Sequence, residues 1–155
     1  MHGGGPRIKN KLKEQNIESK FIRGLRVTDE NIINIVESVL IEFNEEIVTI
    51  LNAKSCNAWS ITTKENNVIS VKPERNELGF VGIPEEIKVN ILNEIINKKE
   101  IPVLAPMGLD KSKKPYNINA DIAAGAVAKA LKSRRLLLMT NVEGVYDKEK
   151  KLLSE

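Results

Sequence analysis

Two amide side chains and a carboxylate lie close together in the second half of the chain. Asn117, Asn119 and Asp121 occupy alternate positions directly before a run of small residues, 122–128. Loop-to-helix junctions of this kind are where α/β proteins commonly expose functional groups. Asn119 also suits a helix N-cap, and Asp121 suits the first turn of a helix. The stretch therefore predicts a capped helix, a ligand site, or both.

A glycine triplet near the start of the chain offers a different chemistry. Gly3, Gly4 and Gly5 precede Pro6 and a segment with helical spacing. Glycines let backbone N–H groups converge, and a helix N-terminus adds positive potential, so the loop suits a carboxylate or a phosphate. An ordinary tight turn is the alternative. The spacing matches neither the dinucleotide fingerprint nor the phosphate loop of nucleotide-binding proteins.

Arg26 is a further candidate because it stands between two apolar residues, Leu25 and Val27. Neighbours of this type can hold a guanidinium toward a carboxylate in a bidentate pair, although a solvated arginine is the commoner case. His2 and Cys56 are interpreted as structural residues. With one histidine in the sequence, no Ser-His-Asp or Cys-His catalytic set can be assembled.

A loop at residues 140–147 is the last candidate. It follows an apolar run and contains Gly144, and open α/β sheets bind ligands where a buried strand ends in such a loop. The pattern predicts a binding loop without specifying its ligand.

Composition limits the classes of protein. Lysine and arginine (24) barely exceed aspartate and glutamate (21), and the basic residues are scattered, which argues against nucleic-acid binding. No apolar run approaches the ~20 residues needed to span a bilayer, so no membrane association is expected. The single cysteine excludes an internal disulfide, and together these features favour a cytoplasmic protein. Both ends look cut, which suggests an internal piece of a longer protein.

Hydrophobic periodicity predicts the elements that position these residues. The first half should contain a helix at 7–15, a hairpin at 19–27, a helix capped by Thr28 and running to Phe43, and a second helix at 46–53. Strands are expected at 58–62, 68–72, 78–82, 101–107 and 136–140. Helices are expected at 84–98 and 121–132, with a charged loop at 110–115. The alternation in the second half predicts an α/β fold with a mainly parallel sheet.

Five segments, in this order along the chain, resemble the amino-acid kinase superfamily and within it the N-acetylglutamate kinase family of arginine biosynthesis. They are HGGGP (2–6), GLRVTD (24–29), LGFVG (78–82), YNINAD (116–121) and TNVEGV (140–145). The resemblance implies a three-layer α/β/α sandwich. It also implies an acetylglutamate-binding lobe at residues 1–133 and the beginning of a truncated nucleotide-binding lobe at residues 134–155.

The same resemblance implies transfer of the γ-phosphoryl group of ATP, with Mg²⁺, to the side-chain carboxylate of N-acetyl-L-glutamate. Asp121 would be the catalytic organiser. The substrate would be bound by Gly4, Gly5, Arg26, Asn117, Asn119 and Ala120. ATP would be bound by Thr140, Asn141, Val142, Glu143, Gly144 and Val145.

Two lysines that family members use to neutralise the phosphoryl group would lie before residue 1 and beyond residue 155. The 155 residues alone are therefore expected to be inactive. The resemblance also implies a homodimer or a hexamer of dimers, with the helix at 31–43 in the dimer interface, and a possible regulator of the PII type. The alternative is a non-catalytic acetylglutamate-binding or regulatory domain of the same fold, similar to that of acetylglutamate synthases. A kinase for another small acid is disfavoured by the surroundings of Arg26 and Asn117.

Overall fold

The computed structural model describes residues 1–139, 144, 146–149 and 151–153. Helices in this part of the chain are α1 (Gly5–Glu14), α2 (Glu30–Ala53), α3 (Val89–Asn97) and α4 (Ala120–Ala130), with a short 3-10 helix at Asn76–Leu78. The strands are β1 (Phe21–Ile22), β2 (Leu25–Arg26), β3 (Ala58–Ile61), β4 (Ile69–Pro73), β5 (Gly82–Ile87), β6 (Ile101–Leu104), β7 (Met107–Leu109) and β8 (Pro115–Asn117). No helix among the described residues is long and apolar enough to span a bilayer.

The α/β class is confirmed, but strand pairing is mixed rather than mainly parallel. β3 and β6 pair in parallel, while a second sheet has the order β5-β4-β7-β8. In that sheet only β4 and β7 are parallel; β4–β5 and β7–β8 are antiparallel. Short connections join each antiparallel pair, and a parallel pair would need a longer crossover.

Two apolar clusters form the core and give the expected helix–sheet–helix layering. One cluster packs Ile8 and Leu12 of α1 against Val36 and Leu40 of α2 and includes Met107. The other packs α3 and α4 against the strands; it includes Leu92, Ile95, Ala123, Ile61 and Ile69.

The start of the chain folds as its pattern predicts. Gly4 is the N-cap of α1, Pro6 lies in the first turn, and the predicted inward residues Ile8 and Leu12 are buried. The hairpin is also confirmed, since β1 and β2 are antiparallel and Phe21 lies directly opposite Arg26.

The long helix α2 differs from the prediction at its start. Its N-cap is Asp29, not Thr28: the Asp29 carboxylate accepts the N–H of Asn31 (3.0 Å) and of Ile32 (2.9 Å). Thr28 is fully buried, and its hydroxyl donates to the carbonyl of Arg26 instead (2.9 Å). The separate helix predicted at 46–53 is also wrong. No Gly or Pro interrupts residues 30–53, so one helix runs through.

Two predicted elements in the middle of the chain, at 78–82 and at 84–98, differ from the structure. Residues 78–81 do not form a strand, because the 3-10 helix occupies their start and Gly79 turns the chain at φ 67°; of the predicted segment only Gly82 belongs to a strand, as the first residue of β5. The helix predicted at 84–98 begins only at Val89. Pro84 belongs to β5, which lies at the edge of its sheet, where a residue without an N–H is tolerated.

Two predicted strands also need correction. Residues 101–107 split into β6 and the start of β7 at Ala105–Pro106, and the two halves join different sheets. Residues 136–139 form no strand; Met139 is 99% exposed, and no described strand offers this segment a ladder partner.

Candidate functional site

Three segments that are distant in sequence surround one small cleft. They are the glycine loop (Gly3–Gly5), the hairpin turn leading into Arg26, and the junction between β8 and α4 at residues 117–120. The cleft has a volume of about 210 Å³. Pockets for drug-sized ligands usually measure about 300–1,000 Å³, so this one suits a smaller metabolite. The predicted substrate residues on all three segments line it: Gly4, Gly5, Arg26, Asn117, Asn119 and Ala120.

The glycine loop lines the cleft and carries backbone N–H groups that have no partner among the described residues. α1 starts there without a side-chain cap, and the hydrogen bonds of the described residues include none from the N–H of Gly4 or Gly5. A Cβ on Gly4 would lie 2.5 Å from Cδ2 of the buried Leu40, so the loop can pack this closely only as glycine. Free N–H groups at a helix N-terminus favour an anion.

Arg26, on strand β2 of the hairpin, supplies a positive charge to the cleft. The residue is only 7% exposed. It donates from Nη1 to the Ser19 hydroxyl and from Nη2 to the Gly5 carbonyl (3.4 Å). Burial lowers the pKa of Arg26, yet a guanidinium stays protonated at neutral pH. Among the described residues no carboxylate pairs with it. A buried charge without a counter-ion in a cleft indicates an anionic ligand.

The two amides of the β8–α4 junction have different local roles. The side-chain Oδ1 of Asn119 caps α4 by accepting the N–H of Asp121 (3.0 Å) and of Ile122 (3.1 Å). Asn117 is held through its backbone, which donates to the Phe80 carbonyl (2.9 Å). Its side chain makes no hydrogen bond to any described residue, so both ends of that amide are available to a ligand. The sequence of this segment predicts a capped helix, a ligand site, or both. Asn119 forms the cap, while Asn117 lines the cleft, so the two roles occur together.

Asp121 lies in the first turn of α4 and is exposed, but it does not line the cleft. None of the ion pairs among the described residues involves it. Its predicted role in orienting lysines stays a prediction. The described part of the chain also has no group of three or more His, Cys, Asp or Glu residues suited to a metal ion.

The predicted ATP loop is only partly covered by the structure. Thr140, Asn141, Val142, Glu143 and Val145 lie outside the described residues, and Gly144 is described in isolation. The assignment of this loop to ATP therefore stays a prediction.

Two residues of the site were missed by the sequence analysis. Ser19 accepts a hydrogen bond from Arg26, and the Phe21 ring lies 4.7 Å from the Arg26 Cζ atom while also lining the cleft. The hairpin prediction contained the signal for Phe21. With Gly24 in the turn, antiparallel pairing brings residue 21 opposite residue 26.

The cleft therefore combines free backbone N–H groups, a buried guanidinium and a free amide. The N–H groups and the guanidinium can each bind a carboxylate, and the amide can bind a neutral polar group. A small molecule with two carboxylates and one amide would satisfy all three.

Comparison with known proteins identifies the family of the chain. Residues 1–155 match the amino acid kinase family, and the chain belongs to that family. It is 57% identical over 155 residues to the acetylglutamate kinase of Pelagibacter ubique, covering 100% of this chain and 54% of the relative. The acetylglutamate kinase of Bartonella bacilliformis is 46% identical over 169 residues, with 100% of this chain and 56% of the relative covered. The chain thus spans about half the length of these relatives.

Solved structures show the same fold. A crystal structure of a Streptococcus mutans UA159 protein has a TM-score of 0.89 at 32% identity, covering 95% of this chain and 61% of that one. The N-acetylglutamate synthase of Neisseria gonorrhoeae, complexed with coenzyme A and N-acetyl-glutamate, has a TM-score of 0.83 at 21% identity. That match covers 99% of this chain and 36% of the synthase. At this identity the likeness shows the fold alone.

Proposed function

We propose that this chain is the acetylglutamate-binding part of an acetylglutamate kinase. The enzyme transfers the γ-phosphoryl group of ATP to the side-chain carboxylate of N-acetyl-L-glutamate. The observation that carries the proposal is the buried Arg26, which has no carboxylate partner among the described residues and lies in a cleft with free glycine N–H groups. N-acetyl-L-glutamate has the two carboxylates and the one amide that this cleft can satisfy.

In this proposal three parts of the cleft each bind one group of the substrate. Arg26 binds the α-carboxylate through its guanidinium fork. The N–H groups of Gly4 and Gly5 bind the side-chain carboxylate and the incoming phosphoryl group. Asn117, supported by Asn119 and Ala120, binds the acetylamido group. Support comes from the presence of all six residues in one cleft.

The proposed chemistry depends on positioning and on charge neutralisation. The attacking carboxylate is already ionised at pH 7, so no general base is needed. Asp121 would act as an organiser near the reacting groups. Residues 1–133 would form the substrate lobe, and residues 134–155, with Thr140–Val145, would begin the ATP lobe. The described residues offer no cluster of ligands for Mg²⁺, so no step is assigned to the metal.

A regulatory domain with the fold of an acetylglutamate synthase is the alternative. The likeness to the Neisseria gonorrhoeae synthase favours it through the fold only, whereas the 57% identity to a kinase favours catalysis. The full-length protein distinguishes the two functions. ATP-dependent formation of an acyl phosphate, trapped as the hydroxamate, supports the kinase, and binding without turnover supports the regulatory domain.

A homodimer, or a hexamer built from dimers, is part of the proposal. Several apolar residues of α2 face the core, so a dimer contact at residues 31–43 would use the outer side of this helix, where Ile41 is only half-buried. Ile41→Glu is expected to shift the full-length protein toward monomers in sedimentation velocity, and an unchanged profile would contradict this contact. A regulator of the PII type is also proposed from the family.

Calorimetric titration of N-acetyl-L-glutamate tests the substrate assignment. Arg26→Ala should weaken binding at least about 30-fold, because truncating one partner of a buried charge pair typically costs 2 kcal/mol or more. ATP binding by the full-length protein should change much less. Arg75→Ala is the matched control, since Arg75 is exposed and pairs with Glu74 and Glu77 outside the cleft. Equal losses in the two variants would contradict the proposed role of Arg26.

A further inference from the structure

Behind the glycine loop, the side chain of His2 connects the loop to the core. Its backbone N–H donates to the Leu104 carbonyl of β6 (3.2 Å). Its ring packs edge-on against Phe43 of α2, with ring centroids 5.0 Å apart and planes at 76°. His2 is therefore held between a strand, through its backbone, and a helix, through its ring, and it directly precedes the glycine loop.

Both ring nitrogens of His2 have a polar neighbour. Nδ1 lies 2.8 Å from the carbonyl oxygen of Gly3, and Nε2 lies 3.1 Å from Nδ2 of Asn44. Asn44 is fully buried in the middle of α2, and its Nδ2 also donates to the Val103 carbonyl (2.9 Å).

The Val103 carbonyl fixes which way the Asn44 amide points. A carbonyl oxygen can only accept, so the Asn44 atom facing it must be the NH₂ group. The same NH₂ group faces Nε2 of His2, which must then be the unprotonated nitrogen. Nδ1 carries the proton and donates it to the Gly3 carbonyl. This arrangement selects a neutral imidazole in one tautomer.

The surroundings of the ring favour the neutral form. The guanidinium of Arg7 opposes a positive charge on His2, while Glu46 is engaged by Arg7 (2.7 Å). Burial makes the largest contribution and lowers the pKa of His2. A protonated ring would also place an N–H donor against the NH₂ group of Asn44.

We propose that Asn44 is a positioning residue that acts through His2 to aim the N–H of Gly4 into the cleft. The C=O of Gly3 and the N–H of Gly4 belong to one planar trans peptide and point in opposite directions. Holding the Gly3 carbonyl against Nδ1 therefore fixes the direction of the Gly4 N–H. The inference rests on the proposed function, in which that N–H binds the reacting carboxylate.

Nitrogen NMR of the His2 ring tests the network without any ligand. The native protein at pH 7.5 should show a protonated Nδ1 and an unprotonated Nε2. Asn44→Asp should leave both ring nitrogens protonated, because the carboxylate accepts a hydrogen bond from Nε2–H while the Gly3 carbonyl still accepts one from Nδ1–H. A protonated Nε2 in the native protein would overturn the inference.

Binding of N-acetyl-L-glutamate tests the functional part. His2→Phe keeps the ring packing but loses both hydrogen bonds, and it should weaken binding about tenfold, the equivalent of one to two hydrogen bonds. Asn44→Leu should weaken binding similarly. The double variant should be no weaker than His2→Phe alone, because the two residues act in one chain.

Asn34→Ala is the control on the same helix, since Asn34 is exposed and bonds only the Glu30 carbonyl in the described structure. Its affinity should equal that of the native protein. If His2→Phe and Asn44→Leu also bind with native affinity, the positioning role is overturned. If the native protein shows the expected ring tautomer but does not bind acetylglutamate, the proposed function is overturned instead.

Discussion

Arg26 and Phe21 lie directly opposite each other on the hairpin of β1 and β2, with the Arg26 Cζ atom 4.7 Å from the centroid of the Phe21 ring. The guanidinium lies over the ring, and its Nη1 and Nη2 atoms donate hydrogen bonds to Ser19 and Gly5. Phe21 itself is 55% exposed. The hairpin therefore presents Arg26 to the cleft in a fixed orientation.

Phe21→Ala is expected to weaken the binding of N-acetyl-L-glutamate about threefold to tenfold, because the cation–π contact that orients Arg26 is lost. Phe21→Tyr keeps an aromatic face and should bind like the native protein. Isothermal titration of both variants provides the measurement. Native affinity in Phe21→Ala would show that the ring does not orient the guanidinium.

Gly79 should be the glycine least tolerant of substitution. Its φ is 67°, and a Cβ there would lie 2.3 Å from the backbone oxygen of Thr28. Gly79→Ala is expected to lower the free energy of unfolding by about 3 kcal/mol, through backbone strain and this clash. Gly125→Ala is the control. It lies within α4 with no atom near the new Cβ, so it should stabilise the protein by about 0.5–1 kcal/mol. Urea denaturation measures both, and similar losses in the two variants would contradict the explanation.

Stability should fall in acid partly through His2. Burial lowers the pKa of His2 from its usual value of 6.5. Below pH 6.5 the unfolded chain therefore binds a proton that the folded chain does not. The free energy of unfolding should decrease as pH falls through this range, by at most about 1.4 kcal/mol per pH unit from this one group. His2→Phe should lose this part of the pH dependence, and identical slopes in the two proteins would count against it.

The sequence predicted the local structure of the segments that line the cleft better than it predicted the elements between them. The glycine loop, the hairpin and the capped helix at Asn119 depend on local signals, namely turn glycines, alternating apolar residues and a capping side chain. These local signals set the three segments that meet at the cleft. Their meeting itself was expected only from the family resemblance.

Errors arose where two local signals competed. Thr28 and Asp29 are both good N-caps, and burial of the Thr28 hydroxyl decided in favour of Asp29. Residues 84–98 have apolar residues at helical spacing, yet Ile87 belongs to β5 and pairs with Ile69 of β4 in the sheet. Sheet pairing is a long-range interaction that periodicity within one segment does not reveal.

The contact between His2 and Asn44 could not be predicted from the sequence for a different reason. Each alone has a plausible structural interpretation, and their sequence separation hides the contact between them. The 3.1 Å approach of the two side chains becomes visible only once α2 packs beside the glycine loop.

The most direct measurement of the central claim is a ¹H–¹⁵N correlation spectrum of the protein titrated with N-acetyl-L-glutamate. The N–H signals of Gly4 and Gly5 and the side-chain NH₂ signal of Asn117 are expected to shift together with one dissociation constant. L-Glutamate, whose charged amino group replaces the acetylamido group, should shift them at much higher concentration. Shifts confined to other surfaces, or none at saturating ligand, would contradict the assignment of this cleft.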